Sequence, residues 1–396
     1  MCIRDRTKIN TTKKSNLRDL LLNTENINNL FLNELMKKTT LYHTHQALNA
    51  KMTSFGGYEM PIQYTGVKKE HLNVRKNLGV FDVSHMGEFF VSGPHALELL
   101  QKVCSNDISK ITVGKAQYNY LPNDKGGIVD DSIVYRLEET VYLLVVNASN
   151  IAKDWEWIQK YNSAFGAALE DRSDQTALLA IQGPKALEAM QGLTPINLND
   201  LPYYAHASGE FAGCENTLIA TTGYTGAGGI EIYFPADKAP QVWDAVLKAG
   251  ADFGITPVGL AARDTLRTEM GYCLYGNEIN DNSSPIAAGL KWISKPEKGC
   301  VNADQIEKEI KNGTPQKLVG FVMEGRAIPR SGHELIDQNN RVIGKVTSGT
   351  QSPSLSQGIG LGYVEKDYGK TGTEIGVRIR EKYCPAQIVK LPFIKS

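Results

Sequence analysis

The spacing of apolar residues becomes regular from Phe81 onward and predicts a strand followed by a helix. Residues 87–91 are predicted to form a strand. After Gly93 and Pro94, apolar residues recur at helical spacing, at Leu97, Leu100 and Val103. Proline suits the first turn of a helix, because the N–H that it lacks would have no partner there. We therefore expect a strand–helix unit over 87–103.

The same pattern returns further along the chain. Val91-Ser-Gly-Pro-His-Ala-Leu-Glu and Ile181-Gln-Gly-Pro-Lys-Ala-Leu-Glu share Gly, Pro, Ala, Leu and Glu in register, and Gln101 matches Gln191. A chance match is the alternative. We interpret the pair as two strand–helix units that are built alike and face each other across a pseudo-repeat.

Further elements follow from the same reading of period and turn residues. Between the two copies we expect strands at 128–135 and 141–147, joined by a polar turn at 136–140, and a helix at 153–161. After the second copy we expect strands at 217–221 and 230–234 around a glycine-rich turn at 223–229, then helices at 240–249 and 261–270.

The texture changes at about Lys317 to short strands separated by Gly, Ser, Asn and Pro. Five candidates are evenly spaced, at 318–323, 342–347, 360–364, 374–379 and 386–391. This pattern is typical of a small antiparallel barrel or sandwich. The fold class predicted is therefore α+β, with an all-β region at the end.

Composition limits the class of protein more than it identifies one. The chain has 396 residues, which favours two or three domains. Acidic and basic residues balance at 43 each, which argues against a general binder of nucleic acid or membrane surfaces. No apolar run approaches the roughly 20 residues of a membrane helix. The six cysteines form no close pairs, so neither a CxxC motif nor a disulfide framework is indicated, and a reducing compartment is the natural reading.

The first 35 residues differ from the rest. They are rich in Asn, and no apolar segment precedes a small-residue cleavage site, so a secretory signal is not indicated. A mitochondrial transit peptide should lack the acids Asp5, Asp19, Glu25 and Glu34. The alternatives are a disordered leader or translation from an upstream start, with Met36 beginning the functional protein.

Asp130 and Asp131 follow Gly126-Gly127 in a predicted strand. Alternation places Asp131, Ile133 and Tyr135 on one face and Asp130 on the other. Both acids could simply terminate a hairpin. Alternatively, one carboxyl lies on a partly apolar face, where loss of water raises its pKa and suits it to proton handling or to pairing with a cation.

Glu231 follows the turn Gly223-Tyr-Thr-Gly-Ala-Gly-Gly229, which has neither GxGxxG nor Gly-Lys-Ser/Thr and is no phosphate loop. It could be a solvated edge residue. Its two oxygens could instead accept adjacent N–H donors, such as an aminopyrimidine edge presents.

Arg263, Asp264 and Arg267 form a third group, with the two arginines on one helix face. They are either a surface charge cluster or a clamp for an anion or carbonyl on a rigid element. The scattered His residues include no HExxH, so no metal site is expected, and Gly-x-Ser-x-Gly is absent as well.

Six strings together resemble the folate-binding T-protein family, the aminomethyltransferases of the glycine cleavage system. They are Phe55-Gly-Gly-Tyr-Glu-Met-Pro61, Gly79-Val-Phe-Asp-Val-Ser-His-Met-Gly87, Gly126-Gly-Ile-Val-Asp-Asp131, Gly223-Tyr-Thr-Gly226, Ala261-Ala-Arg-Asp264 and Thr347-Ser-Gly349. They occur in family order from about Leu41 to the C-terminus. Together they are specific, whereas one alone would be weak.

The resemblance implies a three-domain cloverleaf around a central folate cavity. Two α+β domains would form a ferredoxin-like pseudo-repeat, and an antiparallel β-barrel would follow. The expected boundaries are a leader at 1–35, domain 1 at 36–86 plus 172–286, domain 2 at 87–171 and domain 3 at 287–396.

The implied reaction moves the methylene of an aminomethyl group from lipoyl H-protein to tetrahydrofolate, releasing ammonia and leaving 5,10-methylenetetrahydrofolate and dihydrolipoyl H-protein. The protein would supply positioning and electrostatics without a metal. Asp131 matches the essential acid of the family and would stabilise positive charge as ammonia leaves. Glu231 and Arg263 match folate contacts. Further positions that would line the cavity or lie near the folate tail are Met86, Tyr118, Tyr135, Asn147, Tyr224, Tyr272 and Lys395.

Some features depart from the family or leave alternatives open. Relatives usually carry Glu-Asp where this chain has Ala227-Gly228, which removes two charges beside Glu231 and puts the rigidity of the loop in doubt. One alternative is a folate-dependent demethylase, which would need no H-protein. The other is a non-catalytic folate-binding relative. Lys298-Gly-Cys300 matches the start of that relative's motif, but the residues that follow do not continue it. We expect a monomer that binds H-protein transiently and neither nucleic acid nor membrane, in the cytoplasm, or in the mitochondrial matrix of a eukaryote.

Overall fold

The computed structural model describes residues 36–395, so the predicted leader lies outside the described residues. The first elements are α1 (Tyr42–Ala47), β1 (Lys51–Phe55), β2 (Tyr58–Gln63), α2 (Val67–Lys76) and β3 (Gly79–Asp82). The next are β4 (Gly87–Ser92), α3 (Ala96–Val103), β5 (Lys115–Pro122), β6 (Ile128–Glu138), β7 (Val141–Val146), α4 (Ile151–Asn162), β8 (Ala168–Asp171) and β9 (Thr176–Gln182).

The chain continues through α5 (Ala186–Met190), β10 (His206–Phe211), β11 (Cys214–Ala220), β12 (Gly229–Pro235), α6 (Ala239–Ala249), β13 (Thr256–Pro257) and α7 (Leu260–Met270). The last elements are α8 (Ala303–Asn312), β14 (Gln316–Met323), β15 (Glu334–Ile336), β16 (Val342–Gln351), β17 (Gly358–Glu365), β18 (Glu374–Ile379) and β19 (Lys382–Val389).

Two sheets of the same design make up the first part of the fold. One has the order β5-β6-β7-β4-β8 and the other β10-β11-β12-β9-β3-β13. The strands that open the two repeat copies, β4 and β9, each stand fourth in their sheet. Each sheet packs helices on one face, and the opposite faces meet in a shared core that includes Val145 and Leu178.

The pseudo-repeat is confirmed by matching hydrogen bonds. Gln101 Oε1 accepts the backbone N–H of Ile108 at 3.0 Å, and Gln191 Oε1 accepts that of Leu198 at 2.9 Å. In both copies this bond joins the end of the helix to a short turn that follows. The match of Gln101 with Gln191 in the sequence therefore reflects the same local structure in both copies.

The helix of the first repeat copy, α3, begins later than predicted. Pro94 lies in a turn, and α3 begins at Ala96. Its core face is made by Ala96, Leu99, Leu100 and Val103, whereas Leu97 is only partly buried. The buried face of the helix therefore includes the small residue Ala96, which the prediction from the leucine spacing omitted.

The C-terminal region is a closed antiparallel barrel of order β14-β17-β16-β15-β18-β19. The prediction of a barrel is confirmed, but the count of five strands was wrong. Strand β15 was missed because it spans only Glu334–Ile336 between turns. The last strand runs over Lys382–Val389, and its Pro385 pairs with Gly376. The four sheets of the described residues, including the two-stranded β1-β2 sheet, fall within the predicted domains, whose boundaries stay a prediction.

Glu269, at the end of α7, joins the barrel to the first part of the fold. Its side chain is buried and accepts hydrogen bonds from Arg75 of α2 at 3.1 Å, and His71 Nε2 lies 3.1 Å from Oε2. From the loop between β16 and β17 it accepts the hydroxyls of Ser352 (2.6 Å) and Ser354 (2.8 Å). A buried carboxylate with these partners fixes the barrel against both helices.

Replacing Glu269 with Gln should destabilise the fold in a pH-dependent way. Burial alone raises the pKa of Glu269, but the bond and charge of His71 and the bonds of Ser352 and Ser354 outweigh it and lower the pKa from 4.5 to about 2. Because the folded-state pKa is lowered, the stabilisation is present above pH 4.5 and is lost as pH falls toward 2. We expect Glu269→Gln to lower the free energy of unfolding at pH 7 by about 3 kcal/mol.

Urea unfolding at pH 7 and at about pH 3 checks this prediction, because the difference between parent and variant should shrink in acid. The matched control is Glu156→Gln, which changes an exposed glutamate of α4. Equal midpoints for Glu269→Gln and Glu156→Gln at pH 7 would contradict the role of Glu269.

Candidate functional site

A cavity of about 700 Å³ opens where the two sheets meet the chain leading into the barrel. Its size falls in the range of small-molecule sites, and its wall is mainly apolar and aromatic with a few polar groups. The wall includes Val83, Met86, Tyr118, Asp131, Ile133, Asn147, Tyr203, Tyr204, Tyr224, Glu231, Arg263, Tyr272, Cys273, Trp292 and Leu391.

Asp131 lies inside β6, on the face that lines the cavity. The strand runs on to Glu138, so the two acids do not terminate a hairpin. The Tyr118 hydroxyl donates to Asp131 Oδ2 at 2.7 Å, and Asn147 Nδ2 donates to Oδ1 at 2.9 Å. Burial and then the charge of Asp130 raise the pKa of Asp131 to about 7, although these two bonds oppose the rise. The carboxyl can therefore exchange its proton near neutral pH.

Asp130 points to the opposite face and has no exposed surface. Its Oδ1 accepts Asn147 Nδ2 at 2.8 Å and Asn150 Nδ2 at 2.7 Å, and its Oδ2 accepts the backbone N–H of Asn147 at 2.9 Å. Asn147 thus bridges the two acids. Strand alternation separates them, and the asparagine, which is itself part of the cavity wall, couples them.

Glu231 lies on β12 and also reaches the cavity. Thr222 Oγ1 donates to its Oε2 at 2.5 Å. Burial raises the pKa of Glu231, while the Thr222 bond and the Arg263 charge oppose the rise. Glu231 is thus a buried acceptor and not a solvated edge residue.

Tyr135 was predicted to line the cavity, and the structure corrects this. It shares a face with Asp131 as alternation requires, but it has no exposed surface and lies behind the wall. Its hydroxyl is 2.8 Å from Thr222 Oγ1 and 2.9 Å from the Tyr233 hydroxyl. Since the one hydroxyl hydrogen of Thr222 goes to Glu231, Tyr135 donates to Thr222 and Tyr233 donates to Tyr135. Tyr135 therefore orients Glu231 indirectly.

The two arginines of α7 have different roles. Arg263 lies 4.4 Å from the ring centroid of Tyr224, which stacks on Tyr272 at 5.8 Å, and all three line the cavity. Arg267 is buried and pairs with Glu278 at 2.7 Å. The predicted two-arginine clamp was wrong for Arg267, because a carboxylate distant in sequence holds its guanidinium inside the protein.

Lys395 is exposed and does not contribute to the cavity wall. Leu391, four residues earlier, does. Sequence reasoning also missed Trp292, Tyr203 and Tyr204. Trp292 is 63% exposed and stacks on Tyr118 with centroids 6.1 Å apart. The only sequence signal for these three residues is that large aromatics stand in loop segments.

The loop that carries Ala227 and Gly228 is tightly packed despite its missing charges. A side chain at Gly226 would meet Met270 Sδ at 2.5 Å, and one at Gly229 would meet the Ile181 carbonyl at 2.2 Å. The Gly228 carbonyl accepts the N–H of Gly183 at 2.9 Å. Close backbone approach therefore holds this loop in place of side-chain charge.

Within 36–395 no group of three or more His, Cys, Asp and Glu side chains could hold a metal ion. In the same range no helix is long and apolar enough to cross a membrane.

Comparison with known proteins gives consistent matches over nearly the whole chain. Residues 41–298 match the model of the GCVT N-terminal domain, and residues 316–395 match that of the glycine cleavage T-protein C-terminal barrel domain. The chain is 54% identical to the aminomethyltransferase of Flavobacterium psychrophilum over 361 residues, and 56% identical to that of Bacteroides fragilis over 362. Both alignments cover 91% of this chain and 100% of the relative.

The fold is similar to the crystal structure of the glycine cleavage system aminomethyltransferase T from Bartonella henselae. The TM-score is 0.85 at 34% sequence identity, and the match covers 91% of this chain and 98% of the other.

Proposed function

The chain belongs to the glycine cleavage T-protein family, and we propose that its central cavity binds tetrahydrofolate together with the aminomethyl-lipoyl arm of H-protein. Its activity is aminomethyl transfer in the glycine cleavage system. The proposal concerns the ligands, the partner and the residues that carry out this activity.

In the proposed reaction the carbon of S–CH₂–NH₂ moves from the lipoyl arm to tetrahydrofolate. Its bonds to sulfur and nitrogen break, and bonds to N5 and N10 of the folate form. The two hydrogens from N5 and N10 end on the lipoyl sulfur and on ammonia. The folate supplies the nucleophilic nitrogens, so the protein needs to bind, orient and stabilise charge.

The single observation that carries the proposal is the Asp131 carboxyl on an aromatic wall. A pterin and its aromatic extension are flat, and the wall offers them Tyr118, Tyr224 and Trp292. Asp131 lies among these rings, and burial and Asp130 raise its pKa to about 7. When ionised, it stabilises the positive charge that develops as ammonia leaves the carbon.

Glu231 is the proposed acceptor for the aminopyrimidine edge. Thr222 donates to one of its oxygens, which fixes the carboxylate plane. A carboxylate so held suits two parallel N–H donors. Arg263 opposes the effect of burial and so favours the charged form of Glu231. Met86, Asn147 and Tyr272 complete the wall in this proposal.

The remaining predictions are kept as proposals. Lys395 would contact the folate tail from outside the cavity wall, and Tyr135 would act through Thr222. The domain boundaries stay as predicted, and so do a monomeric state, transient binding of H-protein and a cytoplasmic location.

A single-turnover assay tests the proposed ligands. Purified protein mixed with tetrahydrofolate and aminomethyl-loaded H-protein should release ammonia and form 5,10-methylenetetrahydrofolate in equal amounts. Unloaded H-protein is the control for background ammonia. Ammonia at the uncatalysed rate would overturn the proposal, and formation of 5-methyltetrahydrofolate from an added methylated amine or sulfonium donor, without H-protein, would favour a demethylase instead.

Asp131→Asn should lower the rate of ammonia release by about 10²- to 10³-fold, because the amide cannot stabilise developing positive charge. Folate affinity, measured by calorimetry, should change by less than about threefold, since most of the wall is intact. Asp124→Asn is the matched control, as it removes an exposed carboxyl that pairs with Lys160. Parent-like turnover in Asp131→Asn would refute the proposed role.

The pH dependence of kcat/KM should show an acid limb at about pH 7. The raised pKa of Asp131 means that the carboxyl is neutral below about 7, so activity should fall about tenfold per pH unit there. Tyr118→Phe removes a donor to the carboxylate and should move this limb to higher pH. A limb that stays in place in Tyr118→Phe belongs to the substrate and contradicts the assignment to Asp131.

A further inference from the structure

Asp154 is a buried acid that the proposed reaction does not use. It lies on the inner side of α4 and has no exposed surface. Among the described residues, no N–H or O–H group donates to either of its oxygens. An ionised carboxylate in such a place would lack both water and protein donors, which costs several kcal/mol.

Its close neighbour is Asp130. The two carboxyl groups are within hydrogen-bonding contact of each other. The nearest cation in sequence, Lys153, directs its amine to the Tyr275 hydroxyl at 2.7 Å and to Asp281 at 3.4 Å. The Lys153 charge therefore has other partners and does not neutralise the acid pair directly.

The distribution of donors decides which carboxyl holds a proton. Two buried carboxyls in contact cannot both be ionised at low cost. Asp130 accepts N–H groups from Asn147 and Asn150, which favour its charged form. Asp154 receives none, so the proton belongs on Asp154, where it can donate to Asp130. Burial and then the charge of Asp130 raise the pKa of Asp154 well above its ordinary value.

We propose that Asp154 is a neutral positioning residue whose O–H donates to Asp130 and thereby holds Asn147 against Asp131. This inference rests on the role proposed for Asp131. The chain of contacts runs from α4 through β6 to the residue that follows β7. It gives Asp130 an O–H donor from α4 in addition to the N–H donors of Asn147 and Asn150, which limits rotation of the Asp130 carboxylate.

The neutral state of Asp154 also determines the charge behind the cavity wall. The titratable groups that face the Asp130–Asp154 pair are Asp131, Lys153 and Tyr275. Ionised Asp154 would place a second negative charge behind Asp131 and raise the pKa of Asp131 further. When Asp154 holds its proton, Asp130 is the one negative charge behind Asp131, and the pKa of Asp131 stays at about 7.

Two substitutions at Asp154 separate the hydrogen bond from the packing. Asp154→Leu keeps the number and branching of the side-chain heavy atoms but removes the donor, and we expect kcat to fall at least about tenfold and the acid limb of kcat/KM to shift upward. Asp154→Asn keeps a neutral N–H donor and should restore turnover to within about threefold of the parent, with the limb in its original place. A purely structural role would change stability without moving the limb.

Infrared difference spectroscopy of the full chain gives a readout that does not need activity. We expect a C=O band of a protonated carboxylic acid that persists from about pH 5 to 9 and disappears in Asp154→Asn, while the separate band of Glu88, a second buried carboxyl without a hydrogen-bond donor among the described residues, remains. Asp124→Asn should leave the band unchanged, because Asp124 is exposed and paired with Lys160.

The outcomes discriminate between the two proposals. Absence of the band in the parent, or loss of activity in Asp154→Asn as large as in Asp154→Leu, would overturn the inference. If Asp154→Leu does not fold, the band and the Asp154→Asn pH profile decide. A band that behaves as expected in a protein without transfer activity would refute the proposed function and leave the neutral Asp154 established.

Discussion

Carboxyl groups buried where separate parts of the chain meet constrain the whole molecule, because each needs protein donors in place of water. Glu269 receives them from α2 and from a barrel loop. Glu278 receives them from Arg267 and from the Thr347 hydroxyl of the barrel, at 2.7 and 2.6 Å. Because some of these donors belong to the barrel, a shift of the barrel would leave the buried carboxylates of Glu269 and Glu278 without hydrogen-bond partners. The segment that joins Glu269 to Glu278 lines the cavity at residues 271–275, so the two buried carboxylates hold both ends of that part of the wall.

The same requirement shapes the site. Asp130 and Asp131 are neighbours in one strand, yet alternation gives them opposite surroundings. Asp130 has three N–H donors and no exposed surface, whereas Asp131 has two donors and faces the cavity. The charge that the donors stabilise on Asp130 then raises the pKa of Asp131. The Asp130 carboxylate thus sets the pKa of the reactive Asp131 carboxyl, and Asn147 donates to both.

The sequence pattern predicted the features that depend on neighbouring residues in the chain, such as the face of a strand on which a side chain lies. Period-two alternation placed Asp131 and Tyr135 on one face, and the Gln101–Gln191 match identified the repeat. Pattern could not show that Tyr135 lies behind the wall, because its depth depends on Thr222 and Tyr233 from another sheet. The role of Arg267 was hidden for the same reason, since its partner Glu278 follows the helix in an irregular segment. Strand β15 was too short to produce a periodic signal.

The two acids of the cavity have different environments, and this difference supports separate tasks. The pKa of Glu231 is raised by burial, but Thr222 and Arg263 oppose the rise and favour a fixed acceptor. Asp131 has the negative Asp130 behind it and no such cation among the leading influences on its pKa. Burial raises the pKa of both carboxyls, and the cation beside Glu231 distinguishes a binding group there from a reacting group at Asp131. The tight glycine loop at 223–229 carries no acidic side chain, so Arg263 meets no competing carboxylate from that loop when it acts on Glu231.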